Sequence, residues 1–339
     1  MALEPLSPDT LVVHTHFHRR RTGITTHVDA VTQALGRTHA VRALGWQLSP
    51  TTPRLTWRRL WEHLRQGPIV WHAHRNLEAL LGLFLRTFTR RVRVVFTRHS
   101  GTAPSAFTSL LFRLADVVVS LTPTVAALLP VHSTVVPHGV NLARFTPPTD
   151  RAQAWKALAR GGELGLGVIG RVRPSKGQGD FAAALEPLLP RFPRWKAIVI
   201  GTTKVGDDGW ARAHVRPPID RVEEVTNPAP WYRGLSIVVH PSHSEAYSLV
   251  LLEALAAGCC VVATSLPQAR ALITHGENGF LFPPGDVEAL RAVLEPLLAD
   301  PALVTRVGER AARFAREHLS VDVEARALLA VYGHARALG

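Results

Sequence analysis

Two glutamates separated by seven residues stand in the stretch HPSHSEAYSLVLLEALAAG, residues 240–258. Glu245 lies in a polar loop after an apolar run, and Ser248 occupies the position of a helix N-cap. Glu253 then falls within the helix, about 7.5 Å along its axis from Ser248. The free amides at the start of such a helix can bind a diphosphate, and the carboxylates could hold hydroxylated groups on either side of it. On spacing alone, the alternative is that both glutamates are ordinary surface acids.

Two cations follow a second apolar run, in LGVIGRVRPSKG, residues 166–177. The strand is expected to end at Gly170, so that Arg171 and Lys176 emerge at the same edge of the sheet as the glutamate loop. Two cations converging there would neutralise a diphosphate and the charge that develops on a leaving group. Taken alone, the alternative is a basic loop that is simply hydrated.

The elements that must position these residues alternate between short apolar runs and helical stretches, which is typical of a parallel sheet covered by helices. In the first half, the expected strands are Leu11–His14, Pro68–Trp71, Val92–Thr97, Val117–Leu121 and Ser133–Pro137. In the second half, they are Leu166–Ile169, Trp195–Ile200, Ile237–His240 and Cys260–Ala263. Asn278–Gly279 is predicted to form a tight hairpin turn, and helices are expected from Val287 onward.

A segment rich in proline and glycine, residues 144–163, interrupts this alternation and is assigned to the domain boundary. We expect an α/β fold of two Rossmann-like parallel-sheet domains that face a central cleft. The domains are predicted at 1–146 and 164–315, with a linker at 147–163. Residues 316–339 are predicted to form a C-terminal helix that crosses back toward the first domain.

The composition is that of a globular chain, because 46% of its 339 residues are hydrophobic and 19% are charged. A net charge of +13 and a pI near 11.1 imply an anionic partner, which could be nucleic acid, an acidic lipid or a phosphorylated substrate. The first ten residues do not resemble a secretory signal, and apolar segments such as Leu77–Leu85 are too short to span a membrane. Cys259 and Cys260 are expected to be reduced and buried, and these features predict a cytoplasmic protein.

Taken together, these segments resemble family four of the glycosyltransferases, which have the GT-B fold. The two glutamates, the run GRVRPSKG and the tail ENGFLFPPGD at residues 277–286 carry the resemblance. It implies that Glu253 binds ribose hydroxyls, that Glu245 contacts the donor sugar, and that Arg171 and Lys176 bind the diphosphate. The remaining donor-binding positions that it implies are Gly170, Ser248 and Leu249.

The first half carries further parts of the resemblance in TGITTHVDAV, VFTRHSG and VVPHGVNLARFTP. They imply that Gly23 lets the backbone approach the substrates and that His99 lies beside the transferred sugar, although His99 could also be a structural histidine. FHRRRTGITT and IVWHAHRNLEALLGLFLR are similar to segments of the lipopolysaccharide-core mannosyltransferases. Ala246 and Ser248 replace usual glycines, and Arg270 replaces a frequent acid, so the sugar stays open.

The resemblance implies a retaining hexosyltransferase that moves a sugar, with mannose from GDP-mannose favoured, to a lipid-linked or lipopolysaccharide-core acceptor. No Asp-x-Asp triplet occurs, so Arg171, Lys176 and the helix N-terminus are expected to replace a metal, and no metal or other cofactor is expected. An alternative is a UDP-sugar-dependent transferase that acts on a soluble or polyprenyl-linked acceptor. An inactive scaffold and a nucleic-acid-binding protein are further alternatives, but no basic recognition helix supports a nucleic-acid partner.

The acceptor is expected to be an anionic lipid-linked saccharide, because Arg19, Arg20 and Arg21 precede Gly23 and would line the acceptor side. The segment WRRLWEHLR, residues 57–65, has the pattern of a helix at a membrane interface. This pattern would allow peripheral contact with the inner face of the cytoplasmic membrane. The alternative is that Trp57 and Trp61 pack into the core.

Overall fold

The computed structural model describes residues 6–203 and 206–338 and divides into two compact units. One unit contains the described residues up to Gly139 together with those from Ser320, and the other spans Val140–Leu319. The units therefore divide a few residues away from the predicted boundaries at 146 and 315. Residues 147–163, predicted as a linker, lie within the second unit.

The first unit is built on a parallel sheet whose buried strands read as continuous apolar runs because helices cover both faces. Its strands in chain order are β1 Leu11–His16, β2 Val41–Gly45, β3 Ile69–Ala73, β4 Val92–Arg98, β5 Val117–Ser120 and β6 Thr134–Val135. The order across the described sheet is β2-β1-β3-β4-β5-β6. The strand order therefore reverses between β1 and β3, which is where open α/β sheets bind ligands.

Amphipathic helices cover this first sheet and bury their apolar faces against it. They are α1 Gly23–Leu35, α2 Trp57–Gln66, α3 Asn76–Phe88, α4 Ala106–Leu114, the short α5 Pro123–Ala126 and the last helix of the chain, α14 Val321–Ala337. Close packing of α3 on the sheet depends on Gly82, because a Cβ there would lie 2.3 Å from the Trp71 ring. The helix α14 packs beside α1.

The second unit has its own parallel sheet, with the strand order of a dinucleotide-binding fold. Its strands are β7 Leu164–Ile169, β8 Trp195–Ile200, β9 Asp220–Val222, β10 Leu235–His240, β11 Cys260–Thr264 and β12 Phe280–Phe282. The order across the described sheet is β12-β11-β10-β7-β8-β9, so the reversal lies between β7 and β10. The expected architecture of two parallel-sheet domains is confirmed.

The helices of the second unit begin within the predicted linker. They are α6 Arg151–Lys156, α7 Gln178–Leu185, α8 Asp208–His214, α9 Ala229–Gly234, α10 Leu249–Ala256, α11 Pro267–Arg270, α12 Val287–Ala299 and α13 Pro301–His318. Arg151 anchors α6 because its guanidinium donates to the carbonyls of Tyr232, Arg233, Leu235, Ala257 and Gly258. These carbonyls lie near the C-terminal ends of α9 and α10, where a cation is favoured.

The prediction of a hairpin turn at Asn278–Gly279 is wrong. The strand β12 that follows pairs in parallel with β11 rather than with a preceding antiparallel strand. Instead of forming a two-residue turn, Asn278 accepts a hydrogen bond from the Thr274 amide at 2.8 Å and donates to the Leu272 carbonyl at 3.0 Å. Its side chain thus closes a loop that feeds a parallel strand.

Both cysteines are free and buried, as expected.

The helix predicted around residues 57–65 is present as α2, but its leucines and tryptophans differ in exposure. Leu60 and Leu64 are buried, whereas Trp57 and Trp61 are 49% and 56% exposed. Among the described residues, no helix is both long and apolar enough to cross a membrane.

Candidate functional site

The switch point of the second sheet brings together the two loops that the sequence singled out. Because β7 pairs directly with β10, the loop after Ile169 lies beside the loop after His240. A cavity of about 210 Å³ opens between them. Its polar lining consists of Arg171, Arg173, Lys176, Gln178, His240 and Ser242, with Gly170 at its edge.

Two glycines shape the first of these loops. Gly170 has φ +139° and Gly177 has φ +69°, both in the region that side chains rarely adopt. A Cβ on Gly177 would lie 1.9 Å from the Pro241 carbonyl oxygen, so only glycine lets the two loops approach this closely. The His243 amide then donates to the Ser175 carbonyl at 3.0 Å and joins the loops.

Lys176, which lines the cavity, forms an ion pair with Glu245. Burial, together with the neighbouring charges of Arg173 and Arg171, lowers the pKa of Lys176 to about 8. The residue predicted to bind phosphate and the residue predicted to contact sugar therefore neutralise each other in this state. An anion that enters the cavity competes with Glu245 for the lysine.

In residues 240–242, which contribute to the same cavity, two buried polar groups have no hydrogen-bond partner among the described residues. They are Nε2 of His240 and Oγ of Ser242. Burial lowers the pKa of His240 to about 3, so its imidazole is neutral and can donate or accept. Unsatisfied groups beside Arg171, Arg173 and Lys176 fit the oxygens of a bound phosphate. Sequence reasoning missed both residues, although they stand in the HPSHSE segment that it quoted.

The second glutamate lies on α10, whose start at Leu249 after Ser248 matches the predicted helix. Glu253 accepts a hydrogen bond of 2.8 Å from the Tyr232 hydroxyl. Burial raises the pKa of Glu253 to about 7, so its charge changes near neutral pH. Ser248 is buried at the N-cap but makes no side-chain capping bond. Tyr232 was not anticipated, because a tyrosine in a short helix gives no sequence signal of its own.

In the first unit, a buried glutamate organises the loops that follow β1 and β3. Glu78 accepts from the Phe17 amide at 2.9 Å and from the His74 amide at 2.7 Å. Burial raises its pKa to about 7.

Gly23 is the first residue of α1 rather than part of the preceding loop, and it is exposed.

The three arginines predicted to bind the acceptor differ in their surroundings. Arg19 and Arg20 are exposed. Arg21 is also exposed but is tied to the fold, because it forms an ion pair of 2.9 Å with Asp29 and donates to the Gln47 carbonyl. Arg19 and Arg20 are therefore the better placed of the three to meet an anion.

His99 lies half-buried after β4, and both of its ring nitrogens face other histidines. Its Nε2 is 3.0 Å from Nδ1 of His74, and its Nδ1 is 3.2 Å from Nε2 of His138. By spacing, two groups in this region could hold a metal ion: one is His14, His72 and His74, and the other is His27, His138 and Glu324. Sequence reasoning missed this cluster, because its members come from distant strands and helices.

Residues 163–300 match the family model described as glycosyl transferases group 1. The chain is 34% identical over 338 residues to the lipopolysaccharide core biosynthesis mannosyltransferase LpcC of Rhizobium leguminosarum, covering 96% of each chain. It is also 34% identical over 344 residues to the corresponding mannosyltransferase LpsB of Rhizobium meliloti, covering 96% of this chain and 97% of that one. These matches extend over nearly the full length of both relatives.

Among solved structures, an Anabaena protein, HepE, determined in complex with UDP and glucose has a TM-score of 0.77 and 16% identity, covering 94% of this chain and 98% of that one. The C-terminal domain of a Francisella tularensis group 1 glycosyltransferase is 30% identical, with a TM-score of 0.51, and covers 54% of this chain and 99% of that one. The first similarity establishes the fold, and the full-length relatives establish the family. The chain belongs to the group 1 glycosyltransferases and has the GT-B fold.

Proposed function

We propose that the protein transfers a mannosyl residue from GDP-mannose to an anionic, lipid-linked saccharide of the lipopolysaccharide-core type, with retention of configuration. The observation that carries the proposal is the cation-lined cavity at the β7–β10 switch point. Arg171 and Lys176 line this cavity, Lys176 pairs with Glu245, and the same unit holds Glu253 on α10. The two mannosyltransferase relatives support the choice of sugar.

The cavity offers charge uptake without a metal. Two guanidinium groups and an ammonium can neutralise the diphosphate as the glycosidic bond breaks. In this proposal, Glu245, which pairs with Lys176, accepts from a sugar hydroxyl, and Glu253, which accepts from Tyr232, accepts from ribose hydroxyls as well. Retention would follow from attack on the face from which the nucleotide departs, with the leaving phosphate taking the proton of the acceptor.

A donor screen tests the first part of the proposal. Wild-type protein should release nucleoside diphosphate from GDP-mannose faster than from UDP-glucose or other UDP-sugars, with Lys176→Gln as the inactive control. NMR of the product should show the anomeric configuration of the donor. A preference for a UDP-sugar would refute GDP-mannose as the donor. A product of inverted anomeric configuration would refute the retaining mechanism.

An exposed apolar surface supports the lipid-linked acceptor. On α3, Leu77, Leu80, Phe84 and Phe88 recur at helical spacing and are exposed, with Phe88 at 72%. The neighbouring helix α4 exposes Phe107, Leu110 and Leu114 in the same way. We call these seven side chains the α3–α4 apolar surface. Large apolar groups at this density mark an interaction surface.

The charges around this surface favour a bilayer with acidic headgroups. Exposed arginines lie after α3, on α4 and on α2, where Trp57 and Trp61 are also exposed: Arg90, Arg91, Arg113, Arg58, Arg59 and Arg65. Apolar side chains enter the interfacial region of a bilayer, and each arginine near an acidic surface contributes about 1 kcal/mol. The membrane contact that the sequence predicts for α2 is therefore extended to α3 and α4. Such docking would bring the enzyme to a lipid-anchored acceptor on the inner leaflet.

Vesicle sedimentation tests the docking. Wild-type protein should bind vesicles that contain acidic phospholipid, and added salt should weaken the binding. Phe84→Glu combined with Phe88→Glu should abolish it, whereas Val323→Glu, which changes an exposed apolar residue on α14, should not. Equal binding by the two variants would refute the α3–α4 apolar surface as the docking site. A dimer that dissociates in the double variant would assign the surface to self-association.

A further inference from the structure

A run of histidines lies at the carboxyl end of the first sheet, around the β1–β3 switch point. Each ring lies with a nitrogen within hydrogen-bond distance of a nitrogen of the next ring. Nδ1 of His14 lies 3.3 Å from Nε2 of His74, and Nδ1 of His74 lies 3.0 Å from Nε2 of His99. Nδ1 of His99 then lies 3.2 Å from Nε2 of His138. We call these four residues the histidine run.

The last helix of the chain supplies partners at both ends of the run. At one end, Nδ1 of His138 lies 3.0 Å from Oε1 of Glu324. At the other end, Nε2 of His14 lies 3.0 Å from the Tyr332 hydroxyl, which is also 2.7 Å from Nδ1 of His72. Glu324 and Tyr332 both lie on α14 and are buried.

Glu324 determines which ring nitrogen of each histidine in the run carries the proton. A neutral imidazole has one N–H donor and one acceptor nitrogen, and an ionised carboxylate can only accept. His138 must therefore donate to Glu324 from Nδ1, which leaves its Nε2 to accept from Nδ1 of His99. The same step repeats through His74 to His14. Every histidine of the run thus carries its proton on Nδ1.

The hydrogen bonds around His14, at the end of the run away from Glu324, fit the same tautomers. Nε2 of His14 accepts, so the Tyr332 hydroxyl donates to it and accepts from Nδ1 of His72. Nε2 of His72 then accepts from the Thr97 hydroxyl, at 2.7 Å. Burial lowers the pKa of each of these histidines, which keeps the imidazoles neutral. One assignment of protons therefore satisfies every group in the network.

We propose that Glu324 is a positioning residue that acts through His138 to fix the tautomer of His99. The consequence for sugar transfer rests on the proposed function and on the family resemblance, which implies that His99 lies beside the transferred sugar. With its proton on Nδ1, His99 presents a lone pair at Nε2. A group that takes the place of His74 at that nitrogen must be a donor, as a sugar hydroxyl is.

The surroundings of Glu324 are consistent with an ionised carboxylate. Its Oε2 accepts from the Gly139 amide at 2.8 Å, and Nδ1 of His27 lies 3.5 Å from its Oε1. The His27 ring also packs against the His138 ring, with centroids 3.7 Å apart. Burial raises the pKa of Glu324 to about 6, so the carboxylate is charged at pH 8.

Replacement of Glu324 by glutamine should move the proton of each histidine in the run from Nδ1 to Nε2. The Gly139 amide can only donate, so the glutamine carbonyl must face it and the glutamine NH₂ group must face Nδ1 of His138. His138 then accepts at Nδ1 and donates from Nε2, and each following histidine must change in the same way. NMR of ¹⁵N-histidine-labelled protein at pH 8 distinguishes the two tautomers. Wild type should show Nδ1–H at His99 and His138, and Glu324→Gln should show Nε2–H.

Two further variants separate this effect from a general disturbance of α14. Asp322→Asn makes the same chemical change on the same helix, but Asp322 is exposed and pairs with Arg37, so the tautomers should stay as in wild type. Tyr332→Phe removes the donor to His14 and the acceptor of His72. His99 and His138 should keep Nδ1–H in that variant, because Glu324 still anchors them.

Retention of Nδ1–H at His99 in Glu324→Gln, or the same reversal in Asp322→Asn, would overturn the proposal. One equivalent of zinc in purified protein, lost on His14→Ala, would overturn it as well, because a metal would then occupy the run. Turnover in Glu324→Gln should fall by about 10²-fold with little change in the KM for donor. Reversed tautomers with unchanged turnover would refute the positioning role. If wild type transfers no sugar, the proposed function fails, while the NMR comparison still decides whether Glu324 sets the tautomers.

Discussion

Donor affinity should pass through a maximum between about pH 7 and pH 8. Burial lowers the pKa of Lys176 to about 8, so the charge that attracts a diphosphate is lost as pH rises through that value. Burial raises the pKa of Glu253 to about 7, so the carboxylate that would accept from ribose hydroxyls is lost as pH falls through that value. Only between the two values are most molecules in the form that binds.

The size of each effect follows from titration. One pH unit beyond a pKa reduces the competent form about tenfold, so affinity at pH 9 should be about tenfold below the maximum. A lysine–phosphate hydrogen bond contributes about 1.5–3 kcal/mol, which limits the total loss on the alkaline side to roughly 10- to 150-fold. A similar decrease is expected below pH 7 from protonation of Glu253.

Calorimetry with an intact nucleotide sugar tests this profile, because its diphosphate diester does not titrate in the range measured. Lys176→Arg keeps its charge and should remove the alkaline decrease, and Glu253→Gln should remove the acidic one. Lys196→Arg is the matched control, since Lys196 pairs with Asp220 away from the cavity. A flat wild-type profile, or an alkaline decrease that persists in Lys176→Arg, would refute the assigned roles.

Four further predictions concern the second unit. Arg171→Ala or Lys176→Ala should lower turnover at least tenfold in a donor-hydrolysis assay, and near wild-type values in both would exclude the proposed diphosphate site. Calorimetry with GDP and UDP should show weaker binding to Glu253→Gln but not to Glu245→Gln, because loss of Glu245 frees Lys176 for phosphate while sugar transfer falls. Activity should survive excess EDTA, and an absolute need for manganese or magnesium would contradict charge uptake by Arg171 and Lys176. Arg151→Met should lower the free energy of unfolding by about 3 kcal/mol or more, because it removes the guanidinium that donates to five carbonyls. The exposed ion pair of Arg191 makes Arg191→Met the control, with an expected change within about 1 kcal/mol in the same denaturation experiment.

The sheets could be predicted from the sequence because buried parallel strands are continuous apolar runs. The predicted strand Trp195–Ile200 has the same limits in the structure, and Leu11–His14 differs only at its end. Edge strands were harder, since β9 is half-buried and carries charged residues, so its sequence does not read as apolar. The Asn278–Gly279 error has a similar origin, because the dipeptide signals a turn but not the direction of the strand that follows.

The meeting of the two loops at the cavity was predictable in part because their residues are close in sequence to the strands that carry them. Arg171 and Lys176 follow β7, and Glu245 follows β10, so a single adjacency brings them together. The partners that tune these groups lie elsewhere. Tyr232 comes from a separate helix, and its bond to Glu253 depends on how α9 packs beside α10.

The two switch points differ in chemistry, and the difference follows from what surrounds each one. At β7–β10, three cations line a cavity and one of them pairs with a carboxylate, so positive charge is in excess there. At β1–β3, burial keeps the histidines neutral, and the one carboxylate in their network fixes proton positions instead of balancing a cation. A neutral, directional network favours hydroxyl groups, whereas clustered cations favour phosphate. If the proposed function holds, the first unit should therefore contact substrate through hydroxyl groups, and the cations of the second unit should take up the charge of the departing nucleotide.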